Sequence, residues 1–302
     1  PEVHISRKYF DMGKIKELVS LGAWNSVTRL GQTLLEGLDL LIANILIDPG
    51  AMGILDFAKK VPLCIVNLMS SVVGIFNPQI TILYAEEKYD EMVQMIKSAN
   101  RIMIFMLSIP IAFVTAFGDI FFSLWLPAYD AHQLHLLCVL SMGTLYVSMS
   151  IQVLYHIFII TKKVKVNSLV VLLSGFLSTG TVFLLLKTTN LGLYAIVLSS
   201  AFYGWLRNLL FTPLYASKCL QVKWTTFYGD ILTGVKSLVC VGLVGLLFRT
   251  VFPIHSWITL IGFGCVAGVV ALIVNYLIVL KKEERAMVAG FVKKKLHRQQ
   301  EG

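Results

Sequence analysis

The sequence predicts an all-α integral membrane protein with eight transmembrane helices, and its composition and apolar runs carry this prediction. Hydrophobic residues make up 57% of the 302 residues and charged residues only 14%, whereas soluble domains are about a quarter charged. The mean hydropathy is +0.77. The apolar residues form runs of the length that a helix needs to cross a bilayer core about 30 Å thick. Short alternating segments, which are typical of outer-membrane strands, do not occur in the sequence.

Eight segments are long enough to span, and some are long enough to project beyond the lipid. They cover residues 17–47, 51–83, 99–125, 132–160, 166–187, 191–216, 230–252 and 257–280. The first two are joined by the short connection "IDPGAMG", so we expect antiparallel neighbours. The third is entered through "AEEKYDEMVQMIKSANR", an amphipathic helical segment. The basic segment "TKKVK" separates the fourth from the fifth, and the last two lie beyond Trp224.

The positions of lysine and arginine predict the orientation. With the N-terminus in the cytoplasm, nineteen of the 26 basic residues fall in inner segments and only Lys187 and Arg249 in outer ones. The other five lie within or at the edges of spans. This asymmetry places both termini in the cytoplasm. It also explains the net charge of +9, because the basic residues lie in cytoplasmic segments beside anionic lipid headgroups. No nucleic-acid partner is therefore expected.

The sequence gives no indication of disulfide, metal or catalytic chemistry. The five cysteines lie in or beside apolar runs without paired spacing, which predicts neither a disulfide framework nor a zinc site. No catalytic residue, metal site or cofactor is predicted. The chain opens at Pro1 with no signal peptide, and we expect it to be part of a longer protein.

A stripe of polar residues runs along the first span. Its members are Asn25, Arg29, Gln32, Glu36 and Asp39. Their spacing of 4, 3, 4 and 3 keeps them on one face of an α-helix. A charge at the bilayer centre costs about 2.5–3.5 kcal/mol on insertion scales, so such a face turns toward other helices or toward water.

The second span repeats this pattern. Asp56, Lys59 and Lys60 enter it, Pro62 follows, and Asn67 and Ser71 continue from Lys60 at helical spacing. Because the two spans are expected to be neighbours, both stripes can line one water-filled cavity. The alternative is that ion pairs, such as Arg29 with Glu36 or Asp56 with Lys60, hold the helices together.

Several longer motifs occur in a recognisable order. "GAWNSVTRLGQTLLEGLDLLIANILIDPGAMGILDFAKKVP" has an Asp in the first helix (Asp39), a Gly at the turn (Gly50), then Lys60 and Pro62. "NPQITILYAEEKYDEM", "FFSLWL", "TKKVK" and "LFTPLYASKCLQVKW" follow. Together they resemble the second lobe of polysaccharide flippases, the O-antigen and teichoic-acid-type exporters of the multidrug/oligosaccharidyl-lipid/polysaccharide superfamily. The resemblance covers nearly all of the chain.

The resemblance implies two six-helix lobes arranged as a V around a central cavity, with two accessory C-terminal helices in some members. The chain would supply the second lobe and the accessory pair. Its expected parts are a cytoplasmic basic linker (1–16), the six-helix lobe (17–222), two accessory transmembrane helices (223–283) and a cytoplasmic basic tail (284–302). The expected location is the bacterial or archaeal cytoplasmic membrane. The missing N-terminal lobe and membrane lipids are expected partners.

The resemblance also implies a substrate, an undecaprenyl-pyrophosphate-linked oligosaccharide that is turned across the membrane during cell-surface polysaccharide biosynthesis. Arg29 and Lys60 are then expected to bind the pyrophosphate, with Lys59 as a weaker candidate. The residues expected to offer partners to sugar hydroxyls are Asn25, Gln32, Glu36, Asp39 and Asn67. Asp39 and Glu36 are alternatively expected to bind the coupling cation or proton. Arg207 either reaches the cavity or extends to the membrane interface.

Other functions remain open at this point. A lipid II flippase of the same superfamily shares the cation-rich cavity and the two extra helices. A multidrug extruder would favour an acidic cavity, whereas three basic residues mark the first two spans here. A membrane glycosyltransferase or polymerase usually carries a sizeable outer loop or an acidic catalytic motif, and the sequence has neither, nor a Gly-rich phosphate loop. We therefore expect a transporter and not an enzyme.

Overall fold

The computed structural model describes residues 11–251, 254–281 and 285, and the regular structure in these ranges is helical. In chain order the elements are α1 (Met12–Gln32), the π-helical segment π1 (Thr33–Gly37), α2 (Asp39–Leu46), α3 (Pro49–Ala85), α4 (Tyr89–Trp125), α5 (Ala131–Ser141), α6 (Leu145–Ser148), α7 (Leu154–Ile160), α8 (Val164–Thr188), α9 (Leu193–Leu206), the π-helical segment π2 (Arg207–Phe211), α10 (Thr212–Cys219), α11 (Tyr228–Val251) and α12 (Trp257–Ile278).

The turn between α2 and α3 has strong sequence signals. Asp48 caps α3 by accepting a hydrogen bond from the Ala51 amide at 2.8 Å. Pro49 occupies the first turn of that helix, where its missing N–H is not needed. Because only Ile47 and Asp48 separate the two helices, α2 folds back on α3, and the two pack together.

Among the residues that the structure describes, five helices are long and apolar enough to cross a membrane: α3, α4, α8, α11 and α12. They correspond to five of the eight predicted spans. Helices α3 and α4 each contain 37 residues, which at 1.5 Å per residue is about 55 Å. Both are therefore long enough to project beyond the bilayer core, as the sequence predicts for some of the spans.

The other three predicted spans are not continuous helices. Segment 17–47 is interrupted by π1, segment 132–160 is divided into α5, α6 and α7, and segment 191–216 is interrupted by π2. Eight continuous spans are thus not confirmed. Irregular backbone at membrane depth is tolerated where it is buried in protein or lines a cavity. The interrupted segments are therefore expected to be buried or to line a cavity.

Helix α4 is the centre of the packing. Helices α11 and α12 pack on α4, α3 packs on α4 and α5, and α1 with π1 packs on α8. The large core cluster includes Leu55 of α3, Met103 and Leu107 of α4, and Leu137 of α5, each with no exposed surface. Large apolar side chains on α8, α11 and α12, such as Leu184, Leu243 and Ile258, point outward, as lipid-facing helices require.

Helices α1 and α8 approach each other through two glycines. A Cβ placed on Gly31 would lie 2.6 Å from the Leu172 backbone nitrogen, and one on Gly175 would lie 2.5 Å from the Gly31 carbonyl oxygen. Hydroxyl groups bridge the same interface, since Thr28 Oγ1 and Ser168 Oγ are 2.8 Å apart. Small residues and hydroxyl bridges of this kind hold helices together where lipid offers no hydrophobic driving force.

Candidate functional site

A cavity of about 730 Å³, lined by charged, polar and apolar side chains, lies between α1, π1 and α3 on one side and the interrupted segments α5–α7 and α9–π2 on the other. All three interrupted segments contribute to its wall, as does α8. The wall on α3 extends from Asp56 to Ser70, which is about 21 Å of helix. The cavity is thus elongated along the helix axes.

The first wall comes from α1 and π1. Asn25, Thr28, Gln32 and Glu36 line the cavity at steps of three and four residues. Within π1 the Leu38 amide donates to the Thr33 carbonyl at 2.9 Å, an i→i+5 bond that encloses one residue more than an α-helical turn. The helix is therefore rotated after Glu36.

This rotation moves Asp39 out of the cavity face. The side chain is buried, with 3% of the residue exposed, and it forms an ion pair with Lys59 of α3. The Lys59 ammonium also donates to the Glu36 carbonyl oxygen at 3.3 Å. Lys59 thereby joins α3 to π1 and to the start of α2.

The neighbouring lysine on α3 has a different partner. Lys60 pairs with Asp56 one turn earlier at 3.0 Å, and the two side chains are 50% and 37% exposed. Both residues line the cavity. Because this pair is solvated, its partners can exchange for other ligands at little cost.

The opposite wall is built by π2, α7 and the turn that precedes α7. Arg207 and Asn208 line the cavity, as do Gln152 and Tyr155. The Tyr155 hydroxyl donates to Asn208 Oδ1, and the Arg207 guanidinium lies over the Tyr155 ring, 5.9 Å from its centroid. Arg207 is only 9% exposed and Asn208 is fully buried.

A proline explains why the chain leaves α-helical geometry at π2. Pro213 has no N–H to donate to the carbonyl of Leu209, four residues earlier. That carbonyl instead accepts from the Tyr228 hydroxyl at 2.8 Å. The Thr212 hydroxyl donates to the Arg207 carbonyl at 3.2 Å. A side chain thus satisfies the Leu209 carbonyl, and the Arg207 carbonyl accepts both the amide and the hydroxyl of Thr212.

Six of the nine predicted site residues line the cavity: Asn25, Gln32, Glu36, Lys59, Lys60 and Arg207. Three do not. Asp39 is turned inward behind Lys59, as described above. Arg29 is exposed and lies at the edge of the face on which Thr28 lines the cavity. Asn67 is exposed beside the cavity-lining face of α3 that contains Leu63, Val66 and Ser70.

The sequence interpretation missed the polar residues on the interrupted segments. Ser148, Gln152, Tyr155, Asn167 and Asn208 all line the cavity. Two features of the sequence could have indicated them. These polar residues occur inside predicted spans, and the helix breakers Gly143 and Pro213 lie in the same segments. Ser148 Oγ, Asn167 Oδ1 and Asn208 Nδ2 are buried and, within the described residues, have no hydrogen-bond partner.

The charges in and directly behind the wall balance. The cations are Lys59, Lys60 and Arg207, and the carboxylates are Glu36, Asp39 and Asp56. Two lysines are paired with two of the carboxylates. In the part of the chain that the structure describes, Glu36 and Arg207 form no ion pair. Both structural ion pairs and unpaired charges therefore occur at this site, so neither sequence interpretation alone describes it.

Comparison with known proteins gives one informative similarity. The chain is 29% identical over 274 residues to the uncharacterized membrane protein EpsK of Bacillus subtilis. The match covers 90% of this chain and 54% of EpsK, so the chain spans about half the length of the curated relative that it matches. No family model matches, and no solved structure gives a significant match. Together with the five apolar helices, the similarity identifies a multi-pass membrane protein.

Proposed function

We propose that the protein is a flippase that moves an undecaprenyl-pyrophosphate-linked oligosaccharide across the cytoplasmic membrane for cell-surface polysaccharide synthesis. The observation that carries the proposal is an elongated cavity in an apolar helical body, whose wall combines charged and amide side chains with apolar ones. A membrane protein that needed only structural stability would fill this volume with apolar side chains. The cavity instead exposes amides, hydroxyls and charges, which bind a hydrophilic cargo.

The size and chemistry of the wall support a glycan as cargo. A wall about 21 Å long accommodates several sugar units in a row. Asn25, Gln32 and Glu36 offer amide and carboxylate groups along the cavity face of α1 and π1, and hydroxyl groups of sugars bind such partners through hydrogen bonds. The isoprenoid chain would stay in lipid, beside the exposed apolar helix faces.

We assign the coupling role to Glu36 before Asp39. Glu36 is exposed in the cavity wall and forms no ion pair among the described residues. The Asp39 carboxylate already holds Lys59, so a cation or proton there must displace that ammonium. In this proposal Asp39 positions Lys59, and Glu36 binds the coupling ion.

A matched pair of serines on α3 tests the proposal. Ser70 and Ser71 are both exposed, and each hydroxyl donates to the carbonyl four residues earlier at 2.9 Å. Only Ser70 lines the cavity. In cells whose own flippase gene is deleted, the full-length gene should restore glycan export. Ser70→Phe should abolish export at a normal membrane level of the protein, and Ser71→Phe should leave export intact.

The result discriminates between functions. If the wild-type gene restores translocation of the peptidoglycan precursor and not of the polysaccharide precursor, the lipid II alternative replaces the proposal. If it restores neither, the flippase proposal is wrong. Equal export by the two phenylalanine variants would show that the cargo does not use this cavity.

A further inference from the structure

We infer that the cavity contains a dedicated site for a phosphate-type oxyanion, formed by Arg207 and Asn208 of π2 with Ser148 of α6. This site differs from the expected pyrophosphate contacts, Arg29 and Lys60. The inference deepens the proposed function and rests on it for the carrier of the anion, which would be the pyrophosphate of the lipid-linked substrate.

The first argument is the pairing of the cations. Lys59 and Lys60 are neutralised by Asp39 and Asp56. Arg207 is more than nine-tenths buried and, across the described ranges, has no carboxylate at ion-pair distance. Burying an unpaired charge is costly. An anion entering the cavity therefore gains most at Arg207, because it removes this cost.

The second argument is the set of unused hydrogen-bond donors in the same part of the wall, where α6 packs on π2. Asn208 Nδ2 and Ser148 Oγ are buried, line the same cavity and have no partner among the described residues. The Asn208 carbonyl oxygen is already used, since it accepts from Tyr155 and lies 3.5 Å from Arg207 Nε. What remains free on Asn208 is its donor group, which suits an acceptor ligand.

The third argument is geometry. The planar guanidinium has five N–H donors in a fixed fork that matches phosphate oxygens. Stacking over Tyr155 and the side-chain-capped backbone of π2 hold this fork in place before a ligand arrives. A preorganised site loses less entropy on binding. The arrangement fits an oxyanion with several acceptor oxygens better than a single chloride ion.

Binding of inorganic pyrophosphate to the purified full-length protein in detergent tests the inference by titration calorimetry. Arg207→Gln should weaken binding by about ten- to a hundred-fold, the loss expected for charge-assisted hydrogen bonds. Lys88→Gln is the matched control and should change the affinity less than about three-fold, because Lys88 lies outside the cavity, is half exposed and pairs with Glu86 at 2.9 Å. Equal weakening by both variants, or none by Arg207→Gln, would overturn the assignment.

Two further variants keep the test decisive if Arg207→Gln folds poorly. Asn208→Asp places a carboxylate beside the guanidinium, so it should raise the melting temperature without ligand and suppress pyrophosphate binding. Arg207→Lys keeps the charge and loses the fork, so it should bind more weakly than wild type. Unchanged binding by Asn208→Asp would contradict the inference.

A second binding experiment identifies the molecule that carries the bound oxyanion. Nanodiscs containing an isoprenyl diphosphate should compete with inorganic pyrophosphate and should bind more tightly than it does. If only the free anion binds, the site is an anion site and the flippase proposal loses support. If neither binds to wild type, the anion site itself is wrong, whatever the export assay shows.

Discussion

At the scale of single residues, Lys59 and Lys60 show how strongly surroundings decide the role of a charge. They are adjacent in sequence and both line the cavity. The partner of Lys59 is the buried carboxylate of Asp39, whose side chain is 4% exposed, whereas Lys60 pairs with a solvated one, Asp56. Removing one member of a buried pair leaves an uncompensated charge, whereas a surface pair contributes little.

We therefore predict different costs for two equivalent substitutions. Lys59→Gln should lower the free energy of unfolding by about 3 kcal/mol or more, because it leaves Asp39 buried without a partner. Lys60→Gln should cost less than about 1 kcal/mol. Reversible unfolding in mixed detergent micelles measures both. Adding Asp39→Asn to Lys59→Gln should recover most of the loss, and failure to recover it would show that Asp39 is not the cause.

The same residues show what the sequence could predict. The polar stripe predicted that 25–39 faces other protein or water, because lipid would penalise it; Asn25, Gln32 and Glu36 line the cavity. Its exact membership assumed one unbroken α-helix. The i→i+5 bond of π1 rotates the residues after Glu36 about the helix axis. Asp39 therefore points away from the cavity. A π-helical insertion depends on tertiary contacts, and residue spacing alone does not reveal it.

At the scale of elements, the interrupted helices are the parts that form the site. The interruption at π2 could have been predicted from Pro213, because a proline removes the hydrogen bond to the carbonyl four residues earlier. The division of 132–160 into α5, α6 and α7 has weaker signals, chiefly Gly143 and the serines that follow. The continuous spans α3, α4, α8, α11 and α12 were predictable because long apolar runs dominate their sequences.

Helix α8 provides a matched test of element packing. Gly175 lies against the backbone of α1, whereas Gly180, on the same helix, has open space where a Cβ would be. Gly175→Leu should destabilise the protein by about 3 kcal/mol or more, because backbone atoms cannot move aside. Gly180→Leu should be neutral or slightly stabilising, since leucine favours helix over glycine by up to about 1 kcal/mol.

Melting temperature in detergent and the protein level in membranes both report this difference. Similar losses in the two variants would indicate that any large side chain on α8 is disruptive. In that case the close contact between Gly31 and Gly175 would not be what holds α1 in place.

At the scale of the whole molecule, polar contacts join α11 and α12 to α4 at three levels. Asn100 donates to Asp230 at 2.9 Å, Asn275 of α12 donates to Ser108 Oγ at 2.7 Å, and Arg249 binds Asp119 through two hydrogen bonds of 3.0 and 2.6 Å. From residue 100 to residue 119 the helix rises about 28 Å.

That distance is close to the thickness of a bilayer core. We therefore expect the two contacts that involve carboxylates to fall near the two membrane surfaces, with the neutral amide contact between them. The Asp230 end would then lie at one surface and the Arg249 end at the other. The positive-inside asymmetry predicts that the Asp230 end is cytoplasmic.

Cysteine labelling tests this orientation and the path of the interrupted segment together. In a background without the five native cysteines, Asp90→Cys and Asn190→Cys place single thiols at exposed positions. Between them lie α4, the segment α5–α7 and α8. If all three cross the membrane, an impermeant maleimide should label residue 190 in intact cells and residue 90 only after permeabilisation. Labelling of residue 90 alone would invert the orientation. Equal labelling of both would mean that α5–α7 enters and leaves on one side, and the count of crossings would have to be reduced.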